Sequence, residues 1–128
     1  MLHEKGTSLI ESLLVIVIVG SIVFLLSSLP NALSLINKSD HLSLAREIAI
    51  KQIEDKRAVS FTNLVNDSSP IADSRIGLLP QGSGTVLVAD CDPSICTNEE
   101  HIKQVTVTIN WTDINKLQTA FFKTLIGE

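Results

Sequence analysis

The chain has 128 residues and a net charge of −4, with 14 acidic side chains against 10 lysines and arginines. That length holds at most one modest domain, and the acidic balance argues against broad nucleic-acid binding, a local basic patch aside. Cys91 and Cys96 lie close together, with only His101 nearby as a further ligand. This set falls short of the four ligands zinc normally takes and favours a disulfide in an oxidising compartment.

From the N-terminus, Ser12 to Leu29 is an 18-residue run without charge. As a helix it spans roughly 27 Å, close to the apolar thickness of a bilayer. A basic and polar start ending at Lys5-Gly6 precedes it, and a single carboxylate, Glu11, stands at its edge. A secretory signal peptide has a shorter apolar region and a small-x-small cleavage site, for which Ser27-Ser28-Leu29-Pro30 is a poor candidate. A plain membrane anchor accounts for the run but not for Gly6 or Glu11. The 13 strongly apolar residues between Leu13 and Leu29 contribute roughly −4 to −8 kcal/mol to insertion. One acidic group costs about +3 kcal/mol at the centre and less near an end. The span therefore inserts despite Glu11, whose charge remains unfavourable unless paired or protonated. Lys5 before the span favours a cytoplasmic N-terminus, although Lys38 lies beyond it.

Lys5-Gly6-Thr7-Ser8-Leu9-Ile10-Glu11 resembles the prepilin signal of type IV pilins and type II secretion pseudopilins. That pattern is a basic residue, glycine, usually phenylalanine, then T/S-L-I-E and a long apolar helix. The resemblance implies cleavage between Gly6 and Thr7 by a prepilin peptidase on the cytoplasmic side, making Glu11 the fifth mature residue. Thr7 stands where the family usually carries an N-methylated phenylalanine. The resemblance further implies that Glu11 pairs with the N-terminal amine of a neighbouring subunit during assembly. The Thr7 amine created by cleavage is a suitable cation, about one helical turn from Glu11. The implied partners are other pilin subunits, the peptidase, an inner-membrane assembly platform and membrane lipid. The implied location is the inner membrane, single-pass, and then a pilus or a periplasmic or cell-surface filament.

Pro30 follows the span and lacks an amide donor, so it is a place for a kink. Asn37-Lys38-Ser39-Asp40-His41 reads as a solvated exit, with nothing to make His41 a ligand. Helical periodicity resumes from Leu42 and is expected to run to about residue 66. Leu42, Ala45, Ala49, Ile53 and Leu64 fall on one stripe, while Leu44, Ile48 and Val59 point elsewhere. Two apolar faces want two partners: the chain's own sheet, and neighbouring helices in a filament. Glu47, Lys51 and Asp55 form i, i+4 steps. The pattern from Ala45 through Arg57 to Leu64 is similar to the latter half of the long helix in minor pilins.

Asn66-Asp67-Ser68-Ser69-Pro70 reads as the turn ending the helix, and residues 70 to 84 as a loop punctuated by Gly and Pro. Thr85 to Ala89 reads as a strand. The acidic residues Asp90, Asp92, Glu99 and Glu100 around the cysteines match no calcium-loop spacing and read as a solvated loop. In Gln104 to Trp111, Val105, Val107, Ile109 and Trp111 alternate with polar residues, which predicts a strand with Trp111 as a core anchor. Thr112 to Lys116 reads as a hairpin turn and Gln118 to Ile126 as the last strand, its inward face left open by Phe121 and Phe122. The run from Gln104 to Ile126 resembles the C-terminal hairpin of minor pilins.

No phosphate loop, G-x-S-x-G or H-E-x-x-H motif is present, and the histidines are scattered. No enzyme activity and no cofactor are expected. The expected fold is α+β and pilin-like: a long N-terminal helix, its first half transmembrane, packed on a small antiparallel sheet of about three strands. The expected segments are a leader (1–6), a membrane and filament-core helix (7–30), its extracytoplasmic continuation (31–66) and a β-rich part (67–128). The resemblance implies a structural subunit of the minor pilin kind. The alternatives are a type II secretion pseudopilin or DNA-uptake pilin and, of another class, a membrane-anchored binding module that never polymerises.

Overall fold

Alternation of apolar and polar residues shapes the C-terminal half of this computed structural model, which describes residues 8–97 and 101–128. Four strands form one antiparallel meander: β1 (Asp67–Pro70), β2 (Ser83–Asp90), β3 (Ile102–Asp113) and β4 (Lys116–Gly127), in that order across the sheet. On β3, Val105, Val107, Ile109 and Trp111 are all buried, as their spacing predicts. In register, Val86 and Phe122 flank Val107, while Gly84 and Ala120 flank Ile109. Phe122 therefore shares the core face with Ala120, and Phe121 faces out. This settles the face of β4 that the paired phenylalanines left open.

The helix α1 (Leu9–Arg57) runs without interruption through Pro30. The chain divides into two compact units, Met1–Asn37 and Lys38–Glu128. In the second unit α1 packs on the sheet through Ala45, Ile48 and Ala49, each fully buried. Fully burying an aliphatic side chain contributes about 1.5–3 kcal/mol, so Ile48 and the β3 residues dominate this interface. The expected stripe needs correcting here. The buried face centres on Ala45, so it takes in Ile48 one turn on and leaves Leu42 at its margin, 53% exposed.

The helix also ends earlier than expected, at Arg57. Val59, Ser60, Phe61 and Thr62 are weak helix formers. The chain tightens there into a short 3-10 helix, Phe61–Asn63, before Leu64 buries in the core. Arg57 closes the helix by donating to the Thr124 hydroxyl on β4 at 2.7 Å.

Two further differences lie between helix and sheet. Asp67–Pro70, expected as a turn, is β1, a fourth strand paired with β2. Its proline sits on the sheet edge, where a missing N–H costs least. The expected loop contains a 3-10 helix, Ser74–Leu78, whose N-cap Asp73 accepts from the Arg75 amide at 2.9 Å. A side chain at Gly82 would collide with the Ile76 carbonyl and with Leu79, so glycine is required where this segment meets β2. The β3–β4 turn is shorter than expected: only Ile114 and Asn115, both at positive φ (46° and 60°), separate the strands. A two-residue turn of this kind matches the strand twist. For Ile114 the left-handed conformation costs about 1–2 kcal/mol.

Candidate functional site

Residues 1–7 lie outside the described residues, and the expected cleavage site between Gly6 and Thr7 falls there with them. The description begins at Ser8, whose carbonyl accepts the amides of Glu11 (2.8 Å) and Ser12 (3.2 Å) as α1 starts. Glu11 is thus the third helical residue, in the first turn. A carboxylate there interacts favourably with the positive end of the helix dipole. Its side chain is exposed, and so is every large apolar residue that follows it, from Leu13 to Leu29.

Among the described residues of this unit nothing covers that surface. Within it three serines are internally satisfied. The hydroxyls of Ser21, Ser27 and Ser28 donate to the carbonyls of Val17, Phe24 and Leu25 at 2.7–2.8 Å. Such back-bonding lets serine sit in an apolar medium without a stranded hydroxyl. Beyond Glu11 the next charge is Lys38. The helix is long and apolar enough to cross a membrane, and an apolar surface of this extent requires lipid or other apolar helices around it.

The cysteines are joined. Cys91 and Cys96 form a disulfide with a Cα–Cα distance of 6.0 Å. Inside the ring, Asp92 accepts from the Ser94 amide and hydroxyl at 2.9 and 2.8 Å, and those bonds hold its carboxyl below the usual range. Asp90 is engaged as well: Lys103 Nζ donates to it at 2.9 Å and Asn66 Nδ2 at 3.0 Å. The acidic residues are thus taken up in local bonds, apart from Glu99 and Glu100, which lie outside the described residues. Among the described residues no group of three or more His, Cys, Asp or Glu side chains is placed to hold a metal ion.

One cluster was not visible in the sequence. Asp113, read as a turn residue, is the last residue of β3 and is 7% exposed. Its Oδ2 accepts the Trp111 indole N–H at 2.9 Å, and its Oδ1 lies 2.7 Å from His41 Nδ1. Burial pushes the Asp113 carboxyl up. The bonds from Trp111 and His41 and the charges of His41 and Lys38 outweigh it, so the group sits below its ordinary value. The one available signal was spacing. His41 lies four residues before Ala45 and seven before Ile48, on the same helix face, so it belongs to the packed face and not to a solvated exit.

A carboxylate holding an imidazole is half of a familiar catalytic arrangement. Here the carboxylate's other oxygen is committed to a core tryptophan, and the pair joins helix to sheet. No protein-family model, curated protein or solved structure matches this chain.

Proposed function

We propose that this protein is a membrane-held filament subunit of the minor pilin kind. In this reading it is cleaved between Gly6 and Thr7, retained by its apolar helix, and then polymerised into a pilus or pilus-like filament. The observation that carries the reading is the placement of Glu11. It is a carboxylate in the first turn of a helix whose next 26 residues carry no charge, on a surface that the described residues of its own unit leave bare. A plain anchor has no use for it. A subunit that must leave lipid for a helical filament does, because an amine on a neighbouring helix pairs the charge and sets the axial register. Leu13 to Leu29 would then serve twice, as membrane span and as filament core.

The partners in this reading are other subunits, a prepilin peptidase, an assembly platform in the inner membrane, and lipid. A type II secretion pseudopilin or DNA-uptake pilin would share the same processing and assembly chemistry. The test is the intact mass and N-terminal sequence of the chain expressed with and without a prepilin peptidase. The proposal expects a chain starting at Thr7 only when the peptidase is present. A chain still starting at Met1 beside an active peptidase overturns it and leaves an anchored binding module. Cleavage near Leu29 overturns it in favour of a secreted domain.

A further inference from the structure

Away from the residues that pack on the sheet, the part of α1 within the unit Lys38–Glu128 carries a second pattern. Leu42, Arg46, Ile50 and Glu54 follow one another at four-residue steps, and all four are exposed. Leu42 and Ile50 are the exposed large aliphatic residues of this part of the helix, at 53% and 44%. The two charges have no partner of their own. Three and four residues from Arg46 stand Leu42, Ser43, Ala49 and Ile50, none of them acidic. Its neighbour Glu47 is turned to Arg75 at 3.8 Å. Glu54 has Lys51 and Arg57 three residues to either side. Lys51, however, donates to Asp55 at 2.9 Å, and Arg57 to the Thr124 hydroxyl at 2.7 Å. Among the described residues neither Arg46 nor Glu54 enters an ion pair.

The row repeats itself at a shift of eight residues, apolar at 42 and 50 and charged at 46 and 54, with the sign of the charge reversed. A second copy displaced along the helix by that shift, about 12 Å, sets its Leu42 against Ile50 and its Arg46 against Glu54. Copies in register would bring like charges together, which repels. An antiparallel pair centred on Ile50 also matches the charges, but it is closed and cannot grow. Subunits drawn from one membrane into one filament all point the same way. The pair Leu42 and Arg46 lies about 80° round the helix from the pair Ile50 and Glu54. One copy therefore meets a different neighbour with each, and a head-to-tail contact of that kind propagates.

We propose that this row is a contact between successive copies of the chain, with Leu42 and Arg46 of one copy set against Ile50 and Glu54 of the next at a stagger of eight residues. The proposal rests on the filament reading and names the surface through which the unit Lys38–Glu128 meets its neighbour. Four side chains fall well short of the roughly 800 Å² per partner that a stable dimer needs. The contact therefore acts among copies that other contacts already hold close, at high effective concentration, and there it selects the stagger.

The experiment uses the full chain in the cell that assembles it, with the native disulfide left oxidised. Sheared filaments carrying Arg46→Cys with Glu54→Cys, and separately Leu42→Cys with Ile50→Cys, are treated with a short bismaleimide. Each pair is expected to give a ladder of covalent multimers, and each single-cysteine variant to stay monomeric. Arg46→Glu and Glu54→Arg should each cut filament yield several-fold, since each sets like charges together. The two combined should restore it to near the parent. All four sites are exposed, so the Trp111 unfolding midpoint should not move in any variant. Parent filaments whose double-cysteine variants stay monomeric overturn the contact, as does a charge swap that fails to restore the yield. Multimers that stop at the dimer point to the closed antiparallel pair and overturn it too. Each of these results leaves the filament reading standing. A parent chain that is never assembled overturns both, because no neighbouring copy then exists.

Discussion

His41 Nδ1 lies 2.7 Å from Asp113 Oδ1, and the other oxygen of that carboxylate takes the Trp111 indole N–H at 2.9 Å. One side chain thus joins α1 to the end of β3, across a sequence separation of 72. Asp113→Ala leaves the buried indole N–H without its acceptor and His41 without its partner. Bonds to a charged group contribute about 1.5–3 kcal/mol each, so losing both is expected to cost roughly 3–6 kcal/mol. His41→Ala keeps the indole bond and should cost less. Trp111 is the single tryptophan, so its emission during denaturation of detergent-solubilised protein reads both variants. Equal losses would mean that the Trp111 bond adds nothing beyond the His41 pair.

Acid should loosen the same unit. Asp73 is held at about 2, chiefly by the Arg75 side chain and then by the Arg75 amide. Arg75 Nη2 lies 2.8 Å from Asp73, and Arg75 Nη1 lies 3.8 Å from Glu47 on α1. Asp113 is lowered as well. A carboxyl whose folded value is depressed adds stability that is complete above the ordinary value of 3.8 and is lost as pH falls towards the folded value. Thermal midpoints should therefore be flat with respect to these two groups at neutral pH and fall from about pH 4 towards 2. Asp73→Asn should make that descent shallower while lowering the neutral midpoint. An unchanged acid profile in Asp73→Asn would show that the Arg75 pair contributes nothing.

The strands that were legible in the sequence are those with strong periodicity. Val105, Val107, Ile109 and Trp111 mark β3 because alternation leaves one face apolar. The disulfide was legible from proximity and the shortage of metal ligands. β1 was not, because Asp67-Ser68-Ser69-Pro70 contains no strand former and owes its conformation to pairing with β2. The His41–Asp113 contact was hidden for a related reason. Periodicity shows which face a residue is on, and cannot show which distant residue meets it. The stripe along α1 placed Ala45, Ala49, Ile53 and Leu64 on the core side and missed Ile48, which lies on the opposite flank of Ala45 from Ala49.

The Cys91–Cys96 bridge closes a ring with a sequence separation of 5. Loop-closure entropy for so short a ring gives about 2 kcal/mol. The bridge lies at the end of β2, where Lys103, Asn66 and Asp90 already tie three segments together. Cys91→Ser with Cys96→Ser should therefore lower stability by no more than about 2 kcal/mol and leave a cooperative Trp111 transition. Amide exchange is the sharper measurement. Protection should fall at residues 91–97 and persist at Val105, Val107 and Ile109, and loss of protection across β3 would mean that the bridge organises the sheet.

Variants of Glu11 distinguish holding in the membrane from the proposed assembly role. Removing its charge improves insertion, since an acidic residue costs up to about 3 kcal/mol in the span and less near its end. Glu11→Leu and Glu11→Gln should therefore stay wholly in the membrane fraction. If Glu11 pairs with the amine of a neighbouring subunit, the same variants lose the attraction that draws the subunit from lipid into the filament. Filament yield after shearing should then drop by tenfold or more, about 1.4 kcal/mol of lost coupling per decade, while N-terminal sequencing still finds processing after Gly6. Glu11→Asp shortens the reach and keeps the charge, so it should fall between. If Glu11→Leu gave filaments at the parent yield, the carboxylate would be serving the helix's own first turn through its dipole, and the assembly role would have to be withdrawn.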